Sequence, residues 1–263
     1  MLFVPGHSLS ASSWDKAVEM GRKGGNGAFA AVFSGGDFRF HLSRKDGKVL
    51  SDSEAASTRM YIVDFADVFA ATNDKAKQIA AAVRAIARAR RSESLTMNVV
   101  THSAGDADFD TAAASGSLDG VLNVRVRVAI GPVFSGTYVG SIGGPLLGLG
   151  GGLGRRLGEQ AASELAEGSE TIRSLQRAQI AMKQGFYRNT KRYDIQTNGL
   201  VGLTPRLDAK SIGNGDGFVQ DSQRRPFVSR TFVIDALDPT ALNHLKQPSY
   251  RGVLERLNLL LLE

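Results

Sequence analysis

Met97-Asn98-Val99-Val100-Thr101-His102-Ser103-Ala104-Gly105 runs directly into Asp106 to Ala114. Met97 to Val100 is an apolar run of strand length, and Asp106 to Ala114 is a helix-compatible stretch. Between them Thr101 and Gly105, two before and two after Ser103, are small enough for strand and helix to pack closely at the turn. A strand that hands over to a helix in this way is the building unit of a parallel sheet with crossover helices.

The same alternation extends in both directions. Leu2 to Val4 is a short strand that stops at Pro5-Gly6, and Trp14 to Arg22 is a helix entered through Ser10 to Ser13, with Asp15 in its first turn. Tyr61 to Phe65, Val124 to Ile130, Tyr193 to Thr197 and Phe227 to Ile234 complete a set of six predicted strands. Asn73 to Arg91 is the clearest helix: Asn73 is its expected cap, Ile79, Val83 and Ile86 its apolar stripe, and Arg84, Arg88 and Arg91 another face. Arg155 to Gln184 spaces Leu157, Ala161, Leu165, Ile172 and Leu175 along one helical face, and Tyr250 to Leu262 is a closing helix rich in Leu. Ala28 to Leu50 departs from this rhythm. Phe38, Phe40 and Leu42 alternate, and Lys45-Asp46-Gly47-Lys48 is a turn, which predicts a hairpin inserted beside the main sheet. The expected fold class is α/β, with about six mainly parallel strands, helices on both faces and one domain over 1–263. Ligands of such sheets bind beyond the carboxyl ends of the strands, so motifs there carry the most functional weight.

Composition narrows the chemistry. The chain has 263 residues, ample for a large buried core, and 42% hydrophobic against 22% charged residues excludes a disordered chain. It has no Cys, so disulfides, thiolate metal sites and a cysteine nucleophile are excluded. Any histidine-dependent chemistry uses His7, His41, His102 or His244, the four His of the chain. The net charge of +6 is read mainly as a solvated basic surface; a weak contact with an anionic membrane surface is the partner it allows, through Arg84, Arg88 and Arg91. No nucleic-acid signature accompanies the charge. No apolar run reaches membrane-spanning length and no signal peptide is evident at Met1, so a soluble protein is expected, in a form that a mature chain or an excised domain would share. Asp106, Asp108 and Asp110 alternate like the start of a calcium loop, but the Gly and distal Glu of such a loop are absent, and acids also suit the first turns of a helix; no metal site is predicted.

Thr101-His102-Ser103-Ala104-Gly105 between strand and helix resembles the nucleophile elbow of the α/β-hydrolases, in the bacterial lipase and esterase type, with Thr101 in place of the first Gly of Gly-x-Ser-x-Gly. Pro5-Gly6-His7-Ser8 followed by Ser12-Ser13-Trp14 resembles the oxyanion loop of the same superfamily, with Pro5 in place of a His. Gly213-Asn214-Gly215-Asp216-Gly217-Phe218-Val219 is similar to its Gly-Asp-Gly-x-Val segment, and Asn243-His244 follows the last strand, where the family places its catalytic His. The resemblance spans Val4 to Leu245. It implies a carboxylic ester hydrolase without metal or organic cofactor, acting on a small-molecule ester or lipid. Ser103 is then the nucleophile, His244 the base and Asp216 its orienting acid, with Asp235, Asp238 and Asp208 as rival acids. The backbone N–H groups of Ala104 and His7 form the oxyanion hole, Ser8 being the runner-up donor and a substrate contact. His102 and Phe134 are expected to touch substrate; Phe134 lies in Gly131-Pro132-Val133-Phe134-Ser135-Gly136, a degenerate echo of a lipase segment. The family also implies a helical lid, here an insert at about 136–184, whose Leu146 and Leu147 would border the acyl chain. Thioester, amide or acyl-transfer chemistry fits the same triad, and a non-catalytic binding module on a hydrolase scaffold is the alternative of a different class.

Overall fold

A computed structural model of the chain describes residues 1–7, 9–23, 29–34, 40–44, 46–134, 163–166, 168–198, 227–235 and 246–262. The elements are β1 (Leu2–Val4), α1 (Asp15–Lys23) entered through a 3-10 turn (Ala11–Trp14), β2 (Phe29–Ser34), β3 (Phe40–Ser43), α2 (Asp52–Ser57), β4 (Met60–Asp64), α3 (Thr72–Ala89), β5 (Leu95–His102), α4 (Ala104–Ala114), β6 (Leu122–Ile130), α5 (Glu170–Gln184), β7 (Lys191–Asn198), β8 (Arg230–Asp235) and α6 (Arg251–Leu262).

All eight strands form one sheet in the order β3-β2-β4-β1-β5-β6-β7-β8. The six strands read from the sequence are its parallel core, β4-β1-β5-β6-β7-β8. The sheet exceeds six because the stretch read as an inserted hairpin contributes two strands. β2 joins β4 in parallel register, from Phe29 beside Met60 to Phe33 beside Asp64, and β3 pairs antiparallel with β2 at the edge.

Alternation along the strands sorts side chains onto two cores. In β1, Leu2 and Val4 join the layer of Val63, Ile79, Val83, Ile86, Val99 and Phe109 beneath α3 and α4. Phe3 faces the other way, with Trp14, Ile62, Val100, Val128, Val253 and Leu257 beneath α1 and α6. The structure thus covers the sheet on both faces, as the pattern of short strands and helices requires.

Two helix starts differ from the sequence reading with consequences for packing. α3 begins at Thr72, so Asn73 lies inside it and is not the cap; instead the Glu164 carboxylate accepts the Thr72 N–H at 2.9 Å from 92 residues away. Nothing local in sequence announces such a cap. Arg84, Arg88 and Arg91 are exposed, and Arg84 donates to the Ser117 carbonyl at 2.9 Å, a solvated face. The helix read as Arg155 to Gln184 is not continuous: Ser163 and Glu164 are helical, Leu165 and Ala166 leave the helix, and α5 starts at Glu170, where the Ser169 hydroxyl accepts the Ile172 N–H at 3.2 Å. Leu157 and Ala161 lie outside the described residues. Leu165, Ile172 and Leu175 nevertheless share one apolar cluster with Ala104, Ala107 and Val133.

The pairing of β5 with β6 contains an irregularity. Met97 pairs with Val124, but Val99 pairs with Arg127, so β6 carries an extra residue there. One extra residue reverses the alternation downstream. Val124 therefore belongs to the core under α3 and α4, whereas Val126 and Val128 belong to the opposite core. The same reversal turns Arg127 inward toward α4, fully buried, while Arg125 is exposed.

Candidate active site

β5 ends at His102 and α4 begins at Ala104, so Ser103 alone makes the reversal, at φ 51° and ψ −127°. A non-glycine residue there is strained, at a cost of about 1 to 3 kcal/mol, and persists only where its surroundings over-determine it. Those surroundings are visible. The Ser103 N–H donates to the Ile130 carbonyl at 2.9 Å, and the Asp106 N–H donates to the Ser103 carbonyl at 3.0 Å. A Cβ on Gly6 would stand 2.9 Å from Ser103 Cβ and from His102 Nδ1. A Cβ on Gly105 would stand 2.3 Å from the Pro5 carbonyl oxygen. The loop after β1 thus lies directly against the first turn of α4, and both contacts exist because Gly6 and Gly105 have no side chain.

Ala104 is the first residue of α4, whose leading N–H groups have no intrahelical partner and carry the positive end of the helix dipole. Its side chain is buried in one apolar cluster with Ala107, Val133, Leu165, Ile172 and Leu175. His7 follows Gly6 and is half-buried, its ring edge-on to Phe69 with centroids 5.4 Å apart. Burial, helped by the nearby Lys75 charge and opposed by Asp67, lowers the imidazole to about 4, so His7 is neutral at pH 7.

His102, expected from sequence to touch substrate, is fully buried and packs edge-on against Trp14 at 6.5 Å between centroids. As the last residue of β5 it lies close to Gly6. Phe134 is half-buried, with its carbonyl accepting from Gln176 Nε2 at 3.4 Å. Ser8, Leu146, Leu147, Asp216 and His244 lie outside the described residues, as do Asp208 and Asp238; Asp235 closes β8 opposite Asn198. Two clefts among the described residues lie away from Ser103, one around Met1, Arg59 and Arg125, the other around Ile180, Lys183 and Phe227.

The three alternating aspartates of α4 face buried cations of the chain itself. Arg127 bridges Asp106 and Asp110, the latter at 3.1 Å, and Lys75 lies 3.9 Å from Asp108. Tyr187 receives a hydrogen bond from Arg127 Nη1 and donates one to Asp110 Oδ1, both at 2.6 Å, and Gln179 donates to Asp110 Oδ2 at 3.0 Å. The sequence reading missed these partners. The available signal was Arg127 inside an otherwise apolar strand, but simple alternation puts it on the same side as Arg125, and only the extra residue in β6 turns it inward.

Asp108 has a measurable consequence. Its complete burial raises the carboxyl to about 7, against the opposing pull of Lys75 and Thr72. A raised carboxyl stabilises the fold fully below its unfolded value of 3.8 and loses that contribution as pH rises toward 7. Asp108→Asn removes this slope. The melting temperature of the native protein relative to the variant is expected to be higher at pH 5 than at pH 8, by about 3 °C or more. An equal difference at both pH values rejects this account of Asp108.

The described architecture is an eight-stranded, mostly parallel sheet covered on both faces, with a strained serine at the turn after a central strand. No family model matches the chain, and no curated protein sequence matches it. Solved structures do. The product of gene lin2722 from Listeria innocua aligns with a TM-score of 0.65 at 15% identity, over 99% of this chain and 92% of that one. This is the α/β-hydrolase fold. A putative cell surface hydrolase from Lactobacillus plantarum WCFS1 aligns at 0.56 and 14% identity, over 99% and 90% of the two chains. Bacillus licheniformis lipase BlEst2 in its mature form aligns at 0.54 and 17% identity, over 96% and 90%. At these identities the likeness concerns the fold. Ser103 stands at the turn after β5, whose neighbours in the middle of the sheet are β1 and β6. No helix among the described residues is long and apolar enough to cross a membrane.

Proposed function

We propose that the chain is a serine hydrolase that cleaves carboxylic esters through an acyl-serine intermediate. The observation that carries this reading is the strained Ser103, held at a strand-to-helix turn by the glycine contacts of Gly6 and Gly105. Strain of that kind is costly to maintain and clusters at active sites; Arg91 and Phe227 also have positive φ, but only Ser103 sits between a central strand and its helix.

In this reading Ser103 Oγ attacks the ester carbonyl while His244 takes its proton. The N–H groups of Ala104 and His7 receive the oxyanion, with Ser8 as the other candidate donor. His244 then protonates the departing alcohol, and Asp216 holds the imidazole and balances its charge. Water, deprotonated by His244, attacks the acyl carbonyl and releases the acid and Ser103. These residue types suffice for every step, so the reading calls for neither metal nor organic cofactor. The lipase name of one fold neighbour supports an ester or lipid substrate. Within one domain over 1–263, the insert at about 136–184, with Leu146 and Leu147, and the half-buried Phe134 form the substrate wall in this reading; an anionic membrane surface is at most a weak partner.

A series of p-nitrophenyl esters from acetate to palmitate tests the class and the acyl preference together. Turnover that depends on chain length is expected; none on any ester, with folded protein, overturns the reading. Asp216→Asn is expected to lower turnover on the order of 10²- to 10⁴-fold, because the imidazole loses its orienting anion. If Asp235→Asn or Asp238→Asn has that effect instead, Asp216 is only a turn residue.

A further inference from the structure

Thr101 occupies the place where the elbow pattern has its first Gly, and the structure gives that departure a physical role. Thr101 is fully buried, and its hydroxyl donates to Asp106 Oδ1 at 3.0 Å. The backbone N–H of the same Asp106 donates to the Ser103 carbonyl at 3.0 Å. One residue therefore holds the chain at two points of the turn: two positions before the strained serine through the carboxylate, and at the serine itself through the main chain. The carboxylate is fixed in turn by Arg127, whose Nη2 pairs with Asp106 Oδ1 and also reaches the Asp106 carbonyl oxygen at 3.3 Å. Arg127 is itself held on several sides: its guanidinium lies 4.4 Å from the Phe109 ring centroid and bonds Tyr187 and Asp110.

We propose that Asp106 is a positioning residue for Ser103, clamping the elbow through Thr101 and held in place by Arg127. The proposal rests on Ser103 being the nucleophile. Its physical content is pre-organisation. A hydroxyl displaced by a fraction of an ångström attacks more slowly even when substrate binds as before. A left-handed serine released from one of its tethers relaxes away from the attacking position. A glycine at position 101 could not make this contact, so the departure from the pattern and the aspartate three residues after the serine form one device.

The test compares Thr101→Val, which keeps the shape and removes the hydroxyl, with Thr101→Ser, which restores it. The readouts are the second-order rate of Ser103 labelling by a fluorophosphonate probe, kcat and KM on p-nitrophenyl butyrate, and the melting temperature. Thr101→Val is expected to lower the labelling rate and kcat about tenfold with KM within about twofold, and Thr101→Ser to recover to within about threefold of the native protein. Asp106→Asn, which keeps an acceptor oxygen and the N–H but drops the charge facing Arg127, is expected to lower kcat in the folded fraction by at least as much. It supplies the result if the valine variant does not fold. Native labelling rate and kcat in a folded Thr101→Val, or a serine variant as slow as the valine one, overturn the proposal. Turnover that survives Ser103→Ala overturns the nucleophile itself and the clamp with it, so the two failures are distinct.

Discussion

Ser103→Ala is expected to lower ester turnover on the order of 10³-fold or more while the protein stays folded. The reaction in this account passes through a bond between the acyl carbon and Ser103 Oγ, and Ala offers no atom to form it. The fold should tolerate the change because the main-chain and glycine contacts of the turn do not run through the hydroxyl: the N–H to Ile130, the carbonyl to Asp106 and the close approaches of Gly6 and Gly105 all persist. The melting temperature is therefore expected to stay within about 3 °C of the native value, well under 2 kcal/mol for a chain of this size. Turnover within tenfold of native would remove Ser103 from the mechanism.

Gly105→Ala should produce the largest effect on stability of any single methyl group added near the site. The new Cβ would meet the Pro5 carbonyl oxygen at 2.3 Å and the Val4 carbonyl oxygen at 2.9 Å. Both are backbone atoms of the buried end of β1, which pairs with β4 and β5 and cannot swing aside as a side chain could. Overpacking of this kind costs about 1 to 3 kcal/mol or more, or roughly 5 °C or more in melting temperature. Because the displaced residues lead into Gly6 and His7, the folded fraction should also lose at least tenfold in Ser103 acylation. Gly120→Ala is the matched control. Gly120 has φ +72° but nothing within 4 Å of the added methyl, so backbone strain should cost stability without touching activity. Native stability and acylation in Gly105→Ala would contradict the contact between β1 and α4.

The elements that build the site were legible because their signals are local. Val99 and Val100 are apolar and buried on opposite faces, and the small Ser103 and Gly105 mark where the strand hands over to a helix. What could not be read was long-range. Glu164 caps α3 across 92 residues, and Asn73 was a plausible local substitute that the fold does not use. Arg127 turns inward only because β6 carries one extra residue opposite β5, a register event invisible in a single strand. The α4 aspartates accordingly looked like a metal loop or a dipole effect, when their partners were cations on α3 and β6. His102 illustrates the converse. Its place beside the serine suggested a substrate contact, but strand alternation aims it at Trp14.

The most direct test of the account is where a fluorophosphonate attaches. The native folded protein, treated with the probe and digested, should carry one phosphonyl adduct on the peptide containing Thr101-His102-Ser103-Ala104-Gly105, localised to Ser103, and Asp216→Asn should slow its formation. A folded protein that stays unlabelled at Ser103, or one labelled as fast on another serine, would contradict the assignment of Ser103 as nucleophile.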